Sequence, residues 1–343
     1  MDIIQTPKKN IIIDASTITT VESCGRLADF RFNHQLVSVR GKSNSLEAGS
    51  IVHKVLETYF KAKIEGWNRE QCIAAGITAG EMYIRGCPYC TDFQVTHGDD
   101  TNITIGETAL FHESEHRCTS KCILKPQCGH EPNEYPSVKN MPMESDSREI
   151  GWKWALATCE QYFDFWKNDY WVPLEVEVLK GKVLYEDDMI RILWKAKLDL
   201  IADTNQGIYP VDHKTAKQRR KLLSLNNQFI GQCLVMDTRG MVVNHIGFQT
   251  SLKPEEKFTR ELMTYSIDRL IEWQSEILPY WAYKFLEYSE DGYWPPNFTH
   301  CENKYGHCAF KNVCEADPLM RGDQLRLEFV KGPKWDPTNI ELD

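Results

Sequence analysis

The second half of the chain alternates hydrophobic and polar residues with the two-residue period of β-strands. Residues 173–181 alternate in this way, and residues 189–203 do so more regularly. After the turn sequence TNQG, residues 207–215 form a third apolar segment that ends in charged residues. In the middle segment, the apolar residues predicted to share one face are Ile190, Ile192, Trp194, Ala196, Leu198 and Leu200. We therefore expect three neighbouring strands, with Asp199 on the polar face of the middle one.

Segments with helical periodicity precede and follow these strands in the sequence. In residues 46–65 the apolar residues recur at spacings of three and four, which predicts a helix with one core-facing stripe. Further helices are predicted over residues 67–85, 149–170, 224–237 and 266–288, and further strands over 242–250 and 257–265. The order of helix, strands, helix and strands favours one α/β (α+β) domain over residues 1–343, with a mixed central sheet flanked by helices.

Two segments depart from this pattern. Residues 86–148 contain five cysteines, four histidines and several prolines, and we interpret them as a loop-rich insertion. This insertion either binds zinc or carries unrelated thiols. No standard zinc-finger spacing fits, so both interpretations stay open. The candidate zinc ligands are Cys87, Cys90, Cys118, Cys122, Cys128 and His130, with His112 and His116 as alternates. Residues 289–343 are predicted to form an irregular tail with three further cysteines.

The overall composition limits the kinds of partner and the cellular compartment that we expect. A net charge of −9 argues against a generally basic surface, although phosphate binding needs only a local basic cluster. The residues expected to contact a DNA backbone in this way are Lys217, Arg219, Arg220 and Lys221. No apolar run approaches the ~20 residues of a membrane span, and the first residues lack the apolar stretch of a signal peptide. We expect a cytoplasmic protein, in which clustered cysteines bind metals more often than they form disulfides.

Two carboxylates are expected to lie close together in the predicted sheet. Asp199 belongs to the middle strand and Asp212 to the next, after a short turn. Paired carboxylates bind hard divalent cations such as Mg²⁺ or Mn²⁺, and the backbone carbonyl of His213 is a further candidate ligand. Lys214 follows Asp212 by two residues, so strand geometry places both side chains on one face. Taken alone, an acid two residues before a lysine is also typical of a solvated turn.

Four motifs in the same order resemble the RecB-like branch of the PD-(D/E)XK nuclease superfamily. They are Gly49 to His53 on a helix, Leu198–Ile201, Val211–Thr215, and a downstream helix that carries Gln228. The thirteen-residue step between the two aspartates also fits that branch. The resemblance implies a restriction-endonuclease-like core and covers most of the chain outside residues 86–148.

The resemblance also implies residue roles. The metal ligands would be His53, Asp199 and Asp212, while Lys214 would act on the attacking water and Gln228 would match the family's glutamine. The family often has a tyrosine four residues after that glutamine, where this chain has Gln232. Members often carry a glutamate in the strand before the first aspartate, and here both Glu175 and Glu177 are candidates.

Four cysteines resemble another feature of this branch. Cys24 lies near the start of the chain, and Cys301, Cys308 and Cys314 lie near its end. In iron–sulfur nucleases such as the AddB-type subunit and the CRISPR-associated RecB-like exonucleases, four cysteines so distributed hold a 4Fe–4S cluster that joins the chain ends. The gap between Cys301 and Cys308 is wider here than is usual. A zinc site or buried structural cysteines are the alternatives.

These expectations converge on a metal-dependent DNA nuclease, most simply an exonuclease that acts on single strands or DNA ends. The sequence GKS at 41–43 lacks the glycine that a P-loop requires five residues earlier, so a helicase would be a separate partner. The alternative is a non-catalytic or partner-dependent DNA-binding subunit in recombination, repair or CRISPR adaptation. A purely structural metal-stapled module is a third reading.

Overall fold

The computed structural model of the protein describes most of the chain. The described residues are 8–38, 44–85, 151–216, 225–303 and 306–332. The predicted zinc ligands of the 86–148 insertion lie outside the described residues, and so do the basic residues from Lys217 to Lys221.

Groups of helices and groups of strands follow one another along the chain, as predicted. The strands are β1 (Lys9–Asp14), β2 (Leu36–Ser38), β3 (Val172–Glu186), β4 (Ile190–Asp203), β5 (Ile208–Ala216), β6 (Gly240–Gly247), β7 (Phe258–Thr264), β8 (Glu302–Asn303), β9 (Gly306–His307) and β10 (Phe329–Lys331). The helices are α1 (Ala15–Ser23), α2 (Gly25–Ala28), α3 (Asn44–Ile64), α4 (Arg69–Arg85), α5 (Trp152–Phe165), α6 (Asn227–Val235), α7 (Pro254–Lys257), α8 (Ile267–Glu272), α9 (Leu278–Asp291), α10 (Lys311–Glu315) and α11 (Arg321–Glu328). The protein is thus mixed α/β. Among the described helices, none is long and apolar enough to cross a membrane.

Six strands form one mixed sheet, in which β4 pairs with three other strands. β3 pairs with β4 along almost its whole length in antiparallel fashion. On the other edge of β4, β1 pairs in parallel with residues 190–195, and β5 pairs in antiparallel fashion with residues 200–203. β6 continues the sheet in parallel to β5, and β7 closes it in antiparallel fashion. On this edge of β4, Asp199 therefore lies between the segment that pairs with β1 and the segment that pairs with β5.

Two layers of helices cover the sheet. The first layer, α3 to α5, packs its apolar residues against Leu200, Val211 and Val242. The second layer contains α1, α6, α8 and α9, and it packs against Trp194, Leu198 and other residues of the sheet. The sheet is therefore buried on both faces, which explains why every residue of β6 is buried and its apolar residues do not alternate with exposed ones.

The alternation of β4 side chains between the two faces of the sheet is interrupted at Asp199. Leu198 packs in the second layer, whereas Leu200 packs in the first. The prediction that Leu200 shares a face with the five earlier apolar residues is therefore wrong. On β3, the neighbour of this point is Glu177, which has a φ of 54° and lies between the Val176–Leu200 and Val178–Leu198 pairs. A left-handed residue within a strand breaks its regular alternation.

The ends of the described chain pack on each other. β2 pairs with β10, and a small apolar cluster joins Leu27 and Phe30 to Phe310, Val313 and Phe329. The prediction of an irregular tail after residue 289 is wrong for this part, since two helices and three short strands lie there. The sequence analysis did not predict β1, although its sequence KNIIID contains a run of three isoleucines.

The remaining boundaries agree with prediction to within a few residues. The predicted helix over 266–288 is interrupted by a π-helical turn at Trp273–Ile277. Pro210 lies within β5, but the pairing of β5 with β6 begins only at Val211. Pro210 therefore precedes the two-sided part of the strand, where a residue without an N–H is tolerated.

Candidate metal centre

Three acidic and imidazole side chains meet beside the point where β4 changes face. His53, Glu177 and Asp199 each offer one ligand atom, and these atoms all lie within 4.8 Å of one another. The Nδ1 atom of His53 is 3.6 Å from Asp199 Oδ2. They come from three separate elements, α3, β3 and β4. Of the two glutamates proposed from the sequence, the structure brings Glu177 to this group, whereas Glu175 is half-exposed and pairs with Lys180 at 2.8 Å.

A glycine lets α3 bring His53 to this position. A Cβ atom on Gly49 would lie 2.7 Å from the Thr215 hydroxyl oxygen on β5. Atoms at that separation clash, so a side chain would push the helix away from the strand. Gly49 stands one helical turn before His53, and the close approach it permits explains the G-x-x-x-H spacing physically.

Asp212, Lys214 and Gln228 form a second group next to the first. Gln228 donates from Nε2 to Asp212 Oδ1 at 2.6 Å, and its Oε1 accepts from Lys214 Nζ at 2.9 Å. Lys214 Nζ also forms an ion pair with Asp212 Oδ2 at 2.8 Å, and no hydrogen bond to that buried oxygen is seen among the described residues. Asp212 is only 1% exposed. A buried carboxylate oxygen of this kind fits a further cationic ligand.

Two local features place Gln228 in this group. The side chain of Asn226 caps α6 by accepting from the Gln228 N–H at 2.8 Å, so Gln228 lies in the first turn. Gly231 then allows α6 to lie directly on Trp194, since a Cβ there would be 2.3 Å from the indole nitrogen. Gln232, at the position where the resembling family has tyrosine, is buried, and its amide oxygen has no hydrogen-bond partner among the described residues.

The electrostatics of Asp199 are strongly perturbed. Burial and the neighbouring charge of Asp212 raise the pKa of Asp199 to about 6, while His53 and the His213 N–H act in the opposite direction. Two carboxylates that must share a low-dielectric site resist simultaneous ionisation. A divalent cation between them would remove that resistance, so the pair is suited to a cation.

Glu177 is held in an uncommon conformation. Its φ of 54° is rare for a residue other than glycine, and such strain is frequent at functional sites. Its carboxylate also forms an ion pair with Lys197, whose Nζ lies 2.5 Å from Glu177 Oε2. Lys197 stands two residues before Asp199 on β4, so the strand carries an ammonium group next to the acids.

His213 contributes its backbone, whereas its ring is turned away from the two aspartates. The His213 N–H donates to Asp199 Oδ2 at 2.8 Å. In an extended strand the N–H and C=O of one residue point to the same edge, so the predicted carbonyl ligand also faces β4. The ring is buried and stacked on Phe60 at 5.9 Å between ring centroids. Burial, followed by the charge of His53, holds the imidazole pKa well below its ordinary value, so the ring is neutral.

The four terminal cysteines occupy one region as free thiols. Cys24, Cys308 and Cys314 pack against the small apolar cluster, and the Asn297 N–H donates to Cys24 Sγ at 3.2 Å. Burial raises the pKa of Cys301, and the other three cysteines raise it further, so their charges act on one another. Among the described residues, no three thiols bring their sulfurs within 4.8 Å of each other.

Comparison with known proteins adds no relative to this description. The chain matches no family model, and the search of curated proteins found no match.

Proposed function

We propose that the protein is a divalent-metal-dependent DNA nuclease with a restriction-endonuclease-like core, and that it acts as an exonuclease on single strands or DNA ends. The observation that carries this proposal is the grouping of His53, Glu177 and Asp199 next to the buried Asp212 and Lys214. These residues lie far apart in the sequence and come from four elements. The resemblance of their motifs to the RecB-like branch supports the same assignment.

The donor set fits a hard divalent cation. Carboxylate oxygens with one imidazole nitrogen suit Mg²⁺ or Mn²⁺. Burial and the charge of Asp212 raise the pKa of Asp199, and a bound cation would stabilise the ionised form of both carboxylates. His53, Asp199 and Asp212 would hold the ion, with Glu177 and the His213 carbonyl as additional ligands. When bound, the ion lowers the pKa of water and neutralises charge on a phosphoryl oxygen.

Lys214 is held where it can act on the reacting phosphate or on the attacking water. Asp212 and Gln228 each contact its ammonium group within 3 Å, and Phe229 lies below it at 5.5 Å from the ring centroid. The side chain remains 35% exposed, so substrate can reach it. A charged donor fixed in this way stabilises developing negative charge without reorganisation.

The cysteine region would hold a 4Fe–4S cluster as a structural staple. Burial and the other three cysteines raise the pKa of Cys301, so the four thiols lie in one region of the fold. Their distribution, one near the start of the chain and three near its end, resembles that of the iron–sulfur nucleases. The proposed ligands are Cys24, Cys301, Cys308 and Cys314. Bound there, the cluster would contribute folding free energy between the two ends of the chain.

The test is cleavage of labelled single-stranded and duplex DNA by the purified protein with Mn²⁺ or Mg²⁺. We expect cleavage that stops with EDTA and that falls by at least 10²-fold in Asp212→Ala and in Lys214→Ala. Lys182→Ala is the matched control, because Lys182 is an exposed, ion-paired lysine of the same sheet. Undiminished cleavage in both site variants would refute the catalytic assignment. Binding without cleavage in the wild type would instead favour a non-catalytic DNA-binding subunit.

A further inference from the structure

A row of buried polar residues crosses the sheet on the face opposite Asp212 and Lys214. His213, Asn244 and Arg260 occupy paired positions on the adjacent strands β5, β6 and β7. Asn244 is fully buried and His213 is 3% exposed, while the side chain of Arg260 is 8% exposed. Polar side chains at such depth are costly unless they bind one another.

Tyr162 of α5 links the members of this row. Asn244 Nδ2 lies 2.9 Å from His213 Nδ1 and donates to the Tyr162 hydroxyl at 3.0 Å. Arg260 Nη2 donates to the same hydroxyl, also at 3.0 Å. Both hydrogens of the Asn244 amide are therefore used if His213 Nδ1 accepts, which places the imidazole hydrogen on Nε2.

The far end of the row is fixed rigidly. Arg260 binds Asp169 through two parallel hydrogen bonds of 2.7 and 2.8 Å. Its guanidinium carbon also lies 3.4 Å from the ring centroid of Trp171 and 3.9 Å from that of Trp166. Bidentate pairing and aromatic stacking on both rings leave this arginine little freedom.

We infer that Asn244 and Tyr162 are positioning residues that fix His213 and thereby set the neighbouring metal site. His213 acts on Asp212 and Lys214 across the sheet, and on its own face its ring lies 6.0 Å from that of His53, between ring centroids. Successive side chains of a strand point to opposite faces, so the orientation of the His213 ring sets that of Asp212 and Lys214 on either side of it. The same anchoring holds the His213 N–H on Asp199 at 2.8 Å. This inference rests on the proposed function, because it concerns the geometry of the same metal site.

The test compares Tyr162→Phe with Tyr59→Phe by Mn²⁺ titration monitored by EPR. Tyr59 is a buried tyrosine of the same helical layer, and no hydrogen bond of its hydroxyl is seen within the described part of the chain. Each variant thus removes the hydroxyl of one buried tyrosine, but only Tyr162→Phe interrupts the row. We expect the Mn²⁺ Kd to rise roughly 10-fold in Tyr162→Phe, as for other residues that orient metal ligands, and to stay unchanged in Tyr59→Phe. KM for DNA should stay unchanged in both variants.

A spectroscopic readout separates positioning from simple stabilisation. The imidazole ¹⁵N shift of His213 should change in Tyr162→Phe and in Asn244→Leu, because the hydrogen bond to Nδ1 is weakened or lost. An unchanged Kd and an unchanged ¹⁵N shift in Tyr162→Phe would overturn the inference even if the variant unfolds at a lower temperature. Asp212→Ala keeps the two proposals apart. Loss of Mn²⁺ binding in this variant with wild-type affinity in Tyr162→Phe refutes only the inference, whereas no binding by the wild type refutes both.

Discussion

Replacing Asp199 by asparagine should make the metal-free protein more stable at neutral pH. Burial and the charge of Asp212 raise the pKa of Asp199 from its ordinary 3.8 to about 6. The folded state therefore holds a proton that the unfolded chain releases between about pH 4 and pH 6. The contribution of Asp199 to the free energy of unfolding is therefore present in full below pH 3.8, and it is lost as the pH rises to 6.

The magnitude follows from the same two values. The difference between 3.8 and about 6, at about 1.4 kcal/mol per pKa unit, corresponds to roughly 3 kcal/mol. The Asp199 side chain is 16% exposed, so solvent screening reduces this figure only slightly. Glu177, His53 and Asp212 also face Asp199. The difference between wild type and Asp199→Asn isolates the contribution of Asp199 from theirs.

The assay is urea unfolding in EDTA at several pH values between 4 and 8. The stability of the wild type relative to Asp199→Asn should fall across pH 4–6 and then remain constant. Asp203→Asn, at the exposed end of the same strand, is the matched control and should follow the wild type. Mn²⁺ at a hundred times its Kd should add about 2.7 kcal/mol to the wild type but not to Asp199→Asn. A pH-independent difference between the two proteins would refute the electrostatic reasoning.

Three further predictions concern the surroundings of the site. Arg260→Ala should lower the free energy of unfolding by about 3–5 kcal/mol in urea titrations, because it leaves Asp169 buried without its partner; a change below 1 kcal/mol would contradict this. Gly49→Ala should weaken Mn²⁺ binding in the EPR titration because its Cβ meets the Thr215 hydroxyl, and adding Thr215→Ala should restore the affinity; a failure of the rescue would exclude this contact as the cause. Anaerobically purified protein should be brown and contain about four irons per chain, and Cys301→Ser should lose most of them; a colourless protein with stoichiometric zinc would contradict the cluster.

Much of the fold could be predicted because the strands and helices carry strong local patterns. β4 and β5 were recognisable from alternation and from the turn between them, and α3 from its apolar stripe. β1 was missed because its pairing with β4 comes from a distant part of the chain. The change of face at Asp199 was missed because it depends on the backbone of Glu177, which local periodicity does not reveal.

The site was predicted in part, for a similar reason. The motif residues His53, Asp199, Asp212, Lys214 and Gln228 do come together. A sequence motif lists residues, however, and it does not show which neighbouring strand supplies the remaining acid. The choice of Glu177 over Glu175 follows from the pairing of β3 with β4, which places Glu177 beside Asp199, between the Val176–Leu200 and Val178–Leu198 pairs.

The row from His213 to Arg260 gave no signal in the sequence. Its members belong to three different strands, and Asn244 is the one amide within β6. Only the register of three strands shows that His213, Asn244 and Arg260 are neighbours. Long-range pairing of this kind lies beyond local sequence patterns.

The most direct test of the metal centre is pulsed EPR of Mn²⁺ bound to the purified protein. We predict saturable binding of Mn²⁺ with coupling to one imidazole nitrogen, which His53→Ala abolishes. Asp212→Ala should remove the binding itself. Absence of saturable Mn²⁺ binding, or a nitrogen coupling that persists in His53→Ala, would contradict the metal site proposed here.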